Sequence, residues 1–141
     1  MKLEEYLKEL YHCFHCHLCN MSNWHRLDEW TPICPTCVRF GFESFSAPGR
    51  IEIARAITEN EINKPTPRLL QIVFSCTGCG ACHEQCKDLT GFRANHVELF
   101  EELKAKLVDL GWGPLPKQAD FARSVQENHN PYHEPHKKRT S

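Results

Sequence analysis

Cys76-Thr-Gly-Cys79-Gly-Ala-Cys82-His-Glu-Gln-Cys86 is a C-x2-C-x2-C-x3-C run. Four thiols at this spacing form the bacterial-type arrangement for holding an iron–sulfur cluster. The two-residue gaps let three thiolates converge from one tight turn. Gly78, Gly80 and Ala81 let the backbone approach closely, so that amide N–H groups can point at sulfide. The fourth cysteine of such a run commonly serves a second cluster elsewhere in the chain, so the run predicts a second ligand set.

That set is present. Cys13, Cys16 and Cys19 repeat the C-x2-C-x2-C half, and the fourth member is displaced to Cys34, where Pro35 supplies a Cys-Pro ending. By the crossed ligation of two-cluster ferredoxins, Cys13, Cys16, Cys19 and Cys86 hold one [4Fe–4S] cluster, and Cys76, Cys79, Cys82 and Cys34 hold the other. Eight of nine cysteines are then used and Cys37 is left over. A competing grouping stays open at this level. Cys16-x2-Cys19 with Cys34-x2-Cys37 has the paired geometry of a structural zinc site, which would leave one cluster and one zinc in an interaction module.

At 141 residues and 40% apolar content, with a mean hydropathy of −0.53, the chain has room for one domain with a small core and a tail. Metal clusters suit such a chain, because ligand binding becomes folding free energy. An odd cysteine count in close repeats speaks against a secreted disulfide scaffold. The segment Met1–Tyr11 is charged and amphipathic, unlike a secretory leader, and the aliphatic run Leu69–Phe74 is too short to span a bilayer. The expectation is a cytoplasmic protein from a reducing setting, with no direct membrane insertion. A net charge of −1 gives no basis for nucleic-acid binding, and Lys137-Lys138-Arg139 reads as a solvated end. No nucleophile–base pair, phosphate loop or nucleotide fingerprint occurs, so no catalytic residue is assigned and the chain is not expected to be catalytic alone.

The fold class is mainly α: a small α-helical ferredoxin-like domain whose helices surround two clusters. Residues 1–116 form the dicluster domain, and 117–141 a last helix and an extended tail or linker. Lys2–His12 reads as a short helix delivering the chain to Cys13, with Leu3, Tyr6, Leu7 and Leu10 on one face. Residues 20–48 show no sustained period and read as loop. Arg50–Ile62 is helical, with Ile53, Ala54, Ile57 and Glu61 in a stripe. After Asn63-Lys64-Pro65, Thr66 caps a helix beginning at Pro67 and running into Cys76. Phe92–Leu110 is the strongest helix, its apolar face being Phe92, Leu99, Phe100, Leu103, Leu107 and Leu110, with Gly111 as its stop. Lys117–Asn128 is weakly amphipathic through Phe121 and Val125. Phe14, Leu18, Ile33, Phe74 and Trp24 are expected to cover the clusters. Trp24 and Trp30 read as packing residues, and most of the nine histidines as solvent-facing.

Three stretches resemble the dicluster iron–sulfur domain of the heterodisulfide reductase-like family: Cys13–Pro35, Phe42-Glu-Ser-Phe-Ser-Ala-Pro-Gly-Arg50, and Cys76–Lys87. That family includes iron–sulfur subunits of heterodisulfide reductases, of sulfite-reduction-associated complexes and of the class II benzoyl-CoA reductase complex. The delayed Cys34-Pro35, the serine-containing turn before Arg50, and Lys87 in place of the ferredoxin proline look like the benzoyl-CoA-reductase-associated branch. Asn130-Pro-Tyr132 and Arg139 resemble the linker that in longer members leads into cysteine-rich CCG domains, yet no Cys-Cys-Gly occurs here. The resemblance implies an electron-relay component of a hetero-oligomer. Its partners would be a flavoprotein or ferredoxin donor and a CCG-domain, heterodisulfide reductase-like protein that supplies the final chemistry.

Overall fold

The computed structural model describes residues 2–21, 31–90 and 94–135, without the side chains of residues 88 and 89. Seven α-helices occur among them: α1 Leu7–Leu10, α2 Pro35–Phe40, α3 Ala47–Thr58, α4 Pro67–Phe74, α5 Ala81–Thr90, α6 His96–Asp109 and α7 Pro116–Asn128. Short 3-10 turns at Leu3–Tyr6, Leu18–Asn20 and Glu43–Phe45 join them. The only pairing of extended backbone among the described residues is an isolated bridge between Met21 and Pro32, so the mainly α expectation holds.

The core lies where α3, α6 and the N-terminal segment meet. Leu3, Tyr6 and Leu10 pack with Ile51, Ala54 and Ile57 of α3, Val73 and Phe74 of α4, and Leu99, Phe100, Leu103 and Leu107 of α6. These side chains recur at helical spacing, so each helix buries one stripe. Cys13, Cys76, Cys82 and Cys86 pack against the same cluster from its edge. The cysteine runs are thus seated on the core rather than hung on loops.

Helix ends follow local chemistry. Thr66 Oγ1 accepts from Leu69 N at 3.1 Å, Asn95 Oδ1 accepts from Val97 N at 3.0 Å, and Gly111 leaves α6 at a φ of +72°. The Thr66 cap and the Gly111 stop are as expected. Other expectations shift. The stretch 20–48 is not all loop: Cys34 is extended, Pro35 opens α2, and Gly41 closes it at a φ of +64°. A six-residue helix is too short to print a period on the sequence. Helix α3 starts at Ala47 rather than Arg50, because Ser46-Ala-Pro is a good helix entry, and ends at Thr58. Its buried stripe is Ala47, Arg50, Ile51, Ala54 and Ile57, while Glu61 lies beyond it. Helix α6 begins at His96; Phe92 falls outside the described residues, and Leu110 is exposed. Phe121 and Val125 of α7 are also exposed, and Ser124 is the buried residue of that helix. Past α7 the chain is not simply extended: Asn130 is buried, and Ser124 Oγ donates to Asn130 O at 2.8 Å and accepts from His133 N at 2.9 Å.

Two contacts are tight enough to test. At Gly49, in the first turn of α3, an added Cβ would come within 2.5 Å of Ser44 Cα and 2.8 Å of Glu43 O. Both are backbone atoms that cannot rotate away. Gly49→Ala is expected to lower stability by about 1–3 kcal/mol, read as a drop in denaturant midpoint. The second is His96, 1% exposed beside the rings of His83 and Phe100. Burial, reinforced by His83, pushes its pKa down to about 4, whereas the unfolded chain binds that proton near about 6.5. The unfolded state therefore gains a proton first. Stability should be indifferent to His96 above that pH and fall as pH drops from about 6.5 towards about 4. Denaturation midpoints across this window should decline less steeply in His96→Gln than in the wild type.

Candidate metal centres

All nine cysteines are free thiols, and eight of them gather into two pockets. Cys34, Cys76, Cys79 and Cys82 line one of about 400 Å³, and Cys13, Cys16, Cys19 and Cys86 line the other, of about 290 Å³. Each pocket draws three thiols from one run and the fourth from the segment that follows the other run. Cys37 lines neither. The zinc grouping of Cys16, Cys19, Cys34 and Cys37 is not brought together: its first pair faces one pocket, while Cys34 faces the other. Cys37 sits almost a full turn beyond Cys34 on α2.

Helix α5 carries a cysteine into each pocket. Cys82 and Cys86 are four residues apart, hence on one face of the helix and about 6 Å apart along its axis. The Leu18–Asn20 turn after the first run packs against α5, which sets Cys19 beside Cys86. Cys34 is fixed from the other side. Its sulfur lies 3.5 Å from Thr36 Oγ1 and 3.6 Å from Phe45 O, and Thr36 Oγ1 donates to Phe45 O at 2.7 Å. Thr90 Oγ1 stands 3.0 Å from Cys86 Sγ one turn further along α5.

The two runs share a backbone conformation. Gly78 and Gly80 have φ values of +67° and +76°; His15 and His17, at the corresponding places in the first run, have +50° and +60°. Left-handed backbone at those two places makes the turn wrap so that all three thiols face inward. At Gly78 and Gly80 it is this conformation, more than close approach, that requires glycine, since an added Cβ would meet nothing at Gly78 and only Val97 at 3.6 Å at Gly80. At His15 and His17 the same conformation occurs without glycine; His15 Nε2 lies 2.9 Å from Glu52 Oε1 and His17 Nδ1 3.5 Å from Glu43 Oε1. In each run the middle cysteine, Cys16 or Cys79, is exposed.

Burial sets the charge state of the thiols before any metal binds. It pushes Cys82 up to about 12, with Cys76, Cys34 and Cys79 adding to the effect. It pushes Cys19 up further, with help from Cys86 and Cys82, and raises Cys13 and Cys86 as well. Among the described residues no carboxylate lines either pocket, and an all-thiol donor set selects soft metals over magnesium or calcium. Among the described residues no group of three or more His, Cys, Asp or Glu converges closely enough to hold a single ion. Thiols gathered by fours from C-x2-C-x2-C runs suit an iron–sulfide core. The residues fit two [4Fe–4S] clusters.

Some residues at these pockets carry no signal in the cysteine spacing. Arg50 is 2% exposed and lines the Cys34 pocket. Val97 and Phe100 of α6 line it too, and His96 lines the other. His96 departs from the solvent-facing expectation for the histidines, being buried. Its one sequence signal is that Asn95 caps α6 and so turns the first helical residue inward. The expected cover is mixed: Phe74 is buried, Leu18 and Ile33 are half-buried, Phe14 is 78% exposed, and Trp24 and Trp30 lie outside the described residues. The first turn of α3 reaches both sites, with Ala47 lining one pocket and Pro48 the other.

A family model described as the 4Fe-4S dicluster domain matches residues 9–88. Over 60 residues the chain is 42% identical to a polypeptide of the dihydromethanophenazine:CoB–CoM heterodisulfide reductase of Methanosarcina acetivorans; the stretch is 43% of this chain and 14% of that protein. Its counterpart in Methanosarcina mazei matches at 42% over 60 residues, with equal coverage. The match thus spans about a seventh of the length of these curated relatives. No solved structure matches the chain. No helix among the described residues is long and apolar enough to cross a membrane. The matched span runs through both cysteine runs and over more than half of the sequence, so the chain belongs to the 4Fe-4S dicluster domain family and carries two [4Fe–4S] clusters in an electron-transfer role.

Proposed function

We propose that the chain is an electron-relay component, passing electrons from a flavoprotein or ferredoxin donor to a heterodisulfide reductase-like partner in a cytoplasmic hetero-oligomer. The observation that carries this reading is the sorting of eight cysteines into two crossed sets on one small core. Cys13, Cys16, Cys19 and Cys86 are assigned as ligands of one cluster, and Cys34, Cys76, Cys79 and Cys82 of the other. Bound there, the clusters supply reversible one-electron exchange.

The chain's own residues do the rest. The left-handed turns at His15, His17, Gly78 and Gly80 aim the thiols. Helix α5 fixes the spacing of the two sites through Cys82 and Cys86. Phe100 and Val97 exclude water from one site, and Pro48 and His96 from the other. Exposed Cys16 and Cys79 bring one edge of each site to the surface, where electrons can enter and leave. No nucleophile, general base or substrate pocket is needed for this, and the chemistry at the end of the chain of carriers falls to the partner. We place the domain boundary near residue 116, with α7 and the following residues as an appendage that Gln118 Nε2 ties to Phe74 O at 3.0 Å.

Iron and labile sulfide per chain, measured after oxygen-free purification, test the reading; colourless protein containing zinc and no sulfide would overturn it. The ligand sets make a sharper forecast. Cys34→Ser should lose about half of the iron, while Cys37→Ser keeps all of it, since Cys37 faces neither pocket. Cys16→Ser and Cys86→Ser should abolish the same electron paramagnetic resonance signal and leave the other. Loss of different signals by these two variants would rule out the crossed assignment.

A further inference from the structure

The charge around the two pockets is unequal. Arg50 is a fully buried guanidinium, and its donors all go to neutral acceptors. Nε donates to Ile72 O at 3.0 Å, Nη1 to Phe45 O, and Nη2 to Thr36 Oγ1 at 3.0 Å and Ser75 Oγ at 3.2 Å. Among the described residues no carboxylate forms an ion pair with it. Hydrogen bonds satisfy its N–H groups but leave its charge, and a buried charge without a counter-charge is destabilising. Phe45 O and Thr36 Oγ1, which accept from Arg50, are also the two groups against Cys34 Sγ, so the guanidinium lies one neutral group from a cysteine of its pocket. Lys104 adds a second cation, its Nζ donating to Cys76 O at 2.8 Å. Cys82 lies in the first turn of α5, at the positive end of that helix.

The other pocket differs: among the described residues no Lys or Arg lines it. Two carboxylates, Glu52 and Glu43, are instead each paired with a histidine of the first run. A [4Fe–4S] cluster on four thiolates is a dianion that becomes a trianion on taking one electron. Buried positive charge favours the added negative charge, and neighbouring carboxylates oppose it.

We propose that Arg50, assisted by Lys104, holds the Cys34, Cys76, Cys79 and Cys82 site at a higher reduction potential than the Cys13, Cys16, Cys19 and Cys86 site, giving the relay a direction. One electron leaves a reduced flavoprotein or ferredoxin donor, which is oxidised, and enters at the Cys16 edge. It comes to rest beside Arg50 and departs at the Cys79 edge to the partner, with no proton transferred. Arg50 is a tuning residue: it acts on the site through charge and touches no reacting atom. This inference rests on the proposed function and adds an order to it.

The test is a mediated redox titration of the full-length protein with dithionite as reductant, followed by electron paramagnetic resonance. Two one-electron waves are expected, separated by at least a tenfold difference in reduction equilibrium, which is about 59 mV. Cys16→Ser assigns them, because it should remove the lower wave. In Arg50→Gln the upper wave should fall by about tenfold while the lower stays, and Arg50→Lys should restore it. Should Arg50→Gln fail to fold, Lys104→Met, at a partly exposed position, should still lower the upper wave alone. A merely structural Arg50 would reduce iron content without moving the potential of the protein that keeps its iron. Coincident waves in the wild type, an upper wave unmoved in Lys104→Met, or equal shifts of both waves would overturn the inference. Absence of iron and sulfide would instead overturn the proposed function.

Discussion

Gathering four thiols into a sheltered pocket, twice, is the constraint on which the rest of this structure depends. Burial and mutual proximity push Cys82 up to about 12 and Cys19 higher still, so the fold alone keeps these sulfurs protonated. Iron must displace those protons, and its binding free energy then holds the chain together as well as filling the site. The sorting of the cysteines gives that energy long reach, since Cys86 of α5 lines the pocket of the N-terminal run and Cys34, before α2, lines the pocket of the second run. Two local turns become a single body without a disulfide.

The remaining elements serve this gathering. Helix α3 enters between the pockets, so that Ala47 faces one and Pro48 the other, and its first turn fits only because Gly49 carries no side chain. Arg50, one residue on, is anchored to backbone or hydroxyl groups of the 3-10 turn, α2, α4 and Ser75. A single buried side chain of α3 thus fastens three other segments around one site. Helix α6 lies beyond the matched family span, which ends at residue 88, yet it contributes Leu99, Leu103 and Leu107 to the core and Val97 and Phe100 to a pocket wall. The sites are therefore built by more of the chain than the cysteine motifs mark out.

What can be read without coordinates follows the range of the interactions involved. Caps are local chemistry, so Thr66 and Gly111 are legible. A stripe over several turns is legible too, and Leu99, Phe100, Leu103 and Leu107 are all buried. Short elements are not: α2 offers Cys34-Pro35 and Gly41 but no period between them. Conformation hidden by residue type escapes as well. Gly78 and Gly80 advertise a left-handed turn, whereas His15 and His17 adopt the same turn with residues that do not announce it. Exposure departs from expectation where a side chain has no neighbour to bury it, as with Phe14, Phe121 and Leu110.

Spacing by itself determined the thiol runs, because ligand geometry at a cluster is short-ranged and leaves fixed gaps along the chain, and apolar periodicity determined the mainly helical class. Only tertiary structure decided that Cys37 stands apart, that α6 walls the sites, and that an arginine without an ion-pair partner among the described residues lies beside one pocket and not the other. Those outcomes depend on which segments meet in space, and on the charge that each brings into a low-dielectric interior. Neither is written into the spacing of any one stretch.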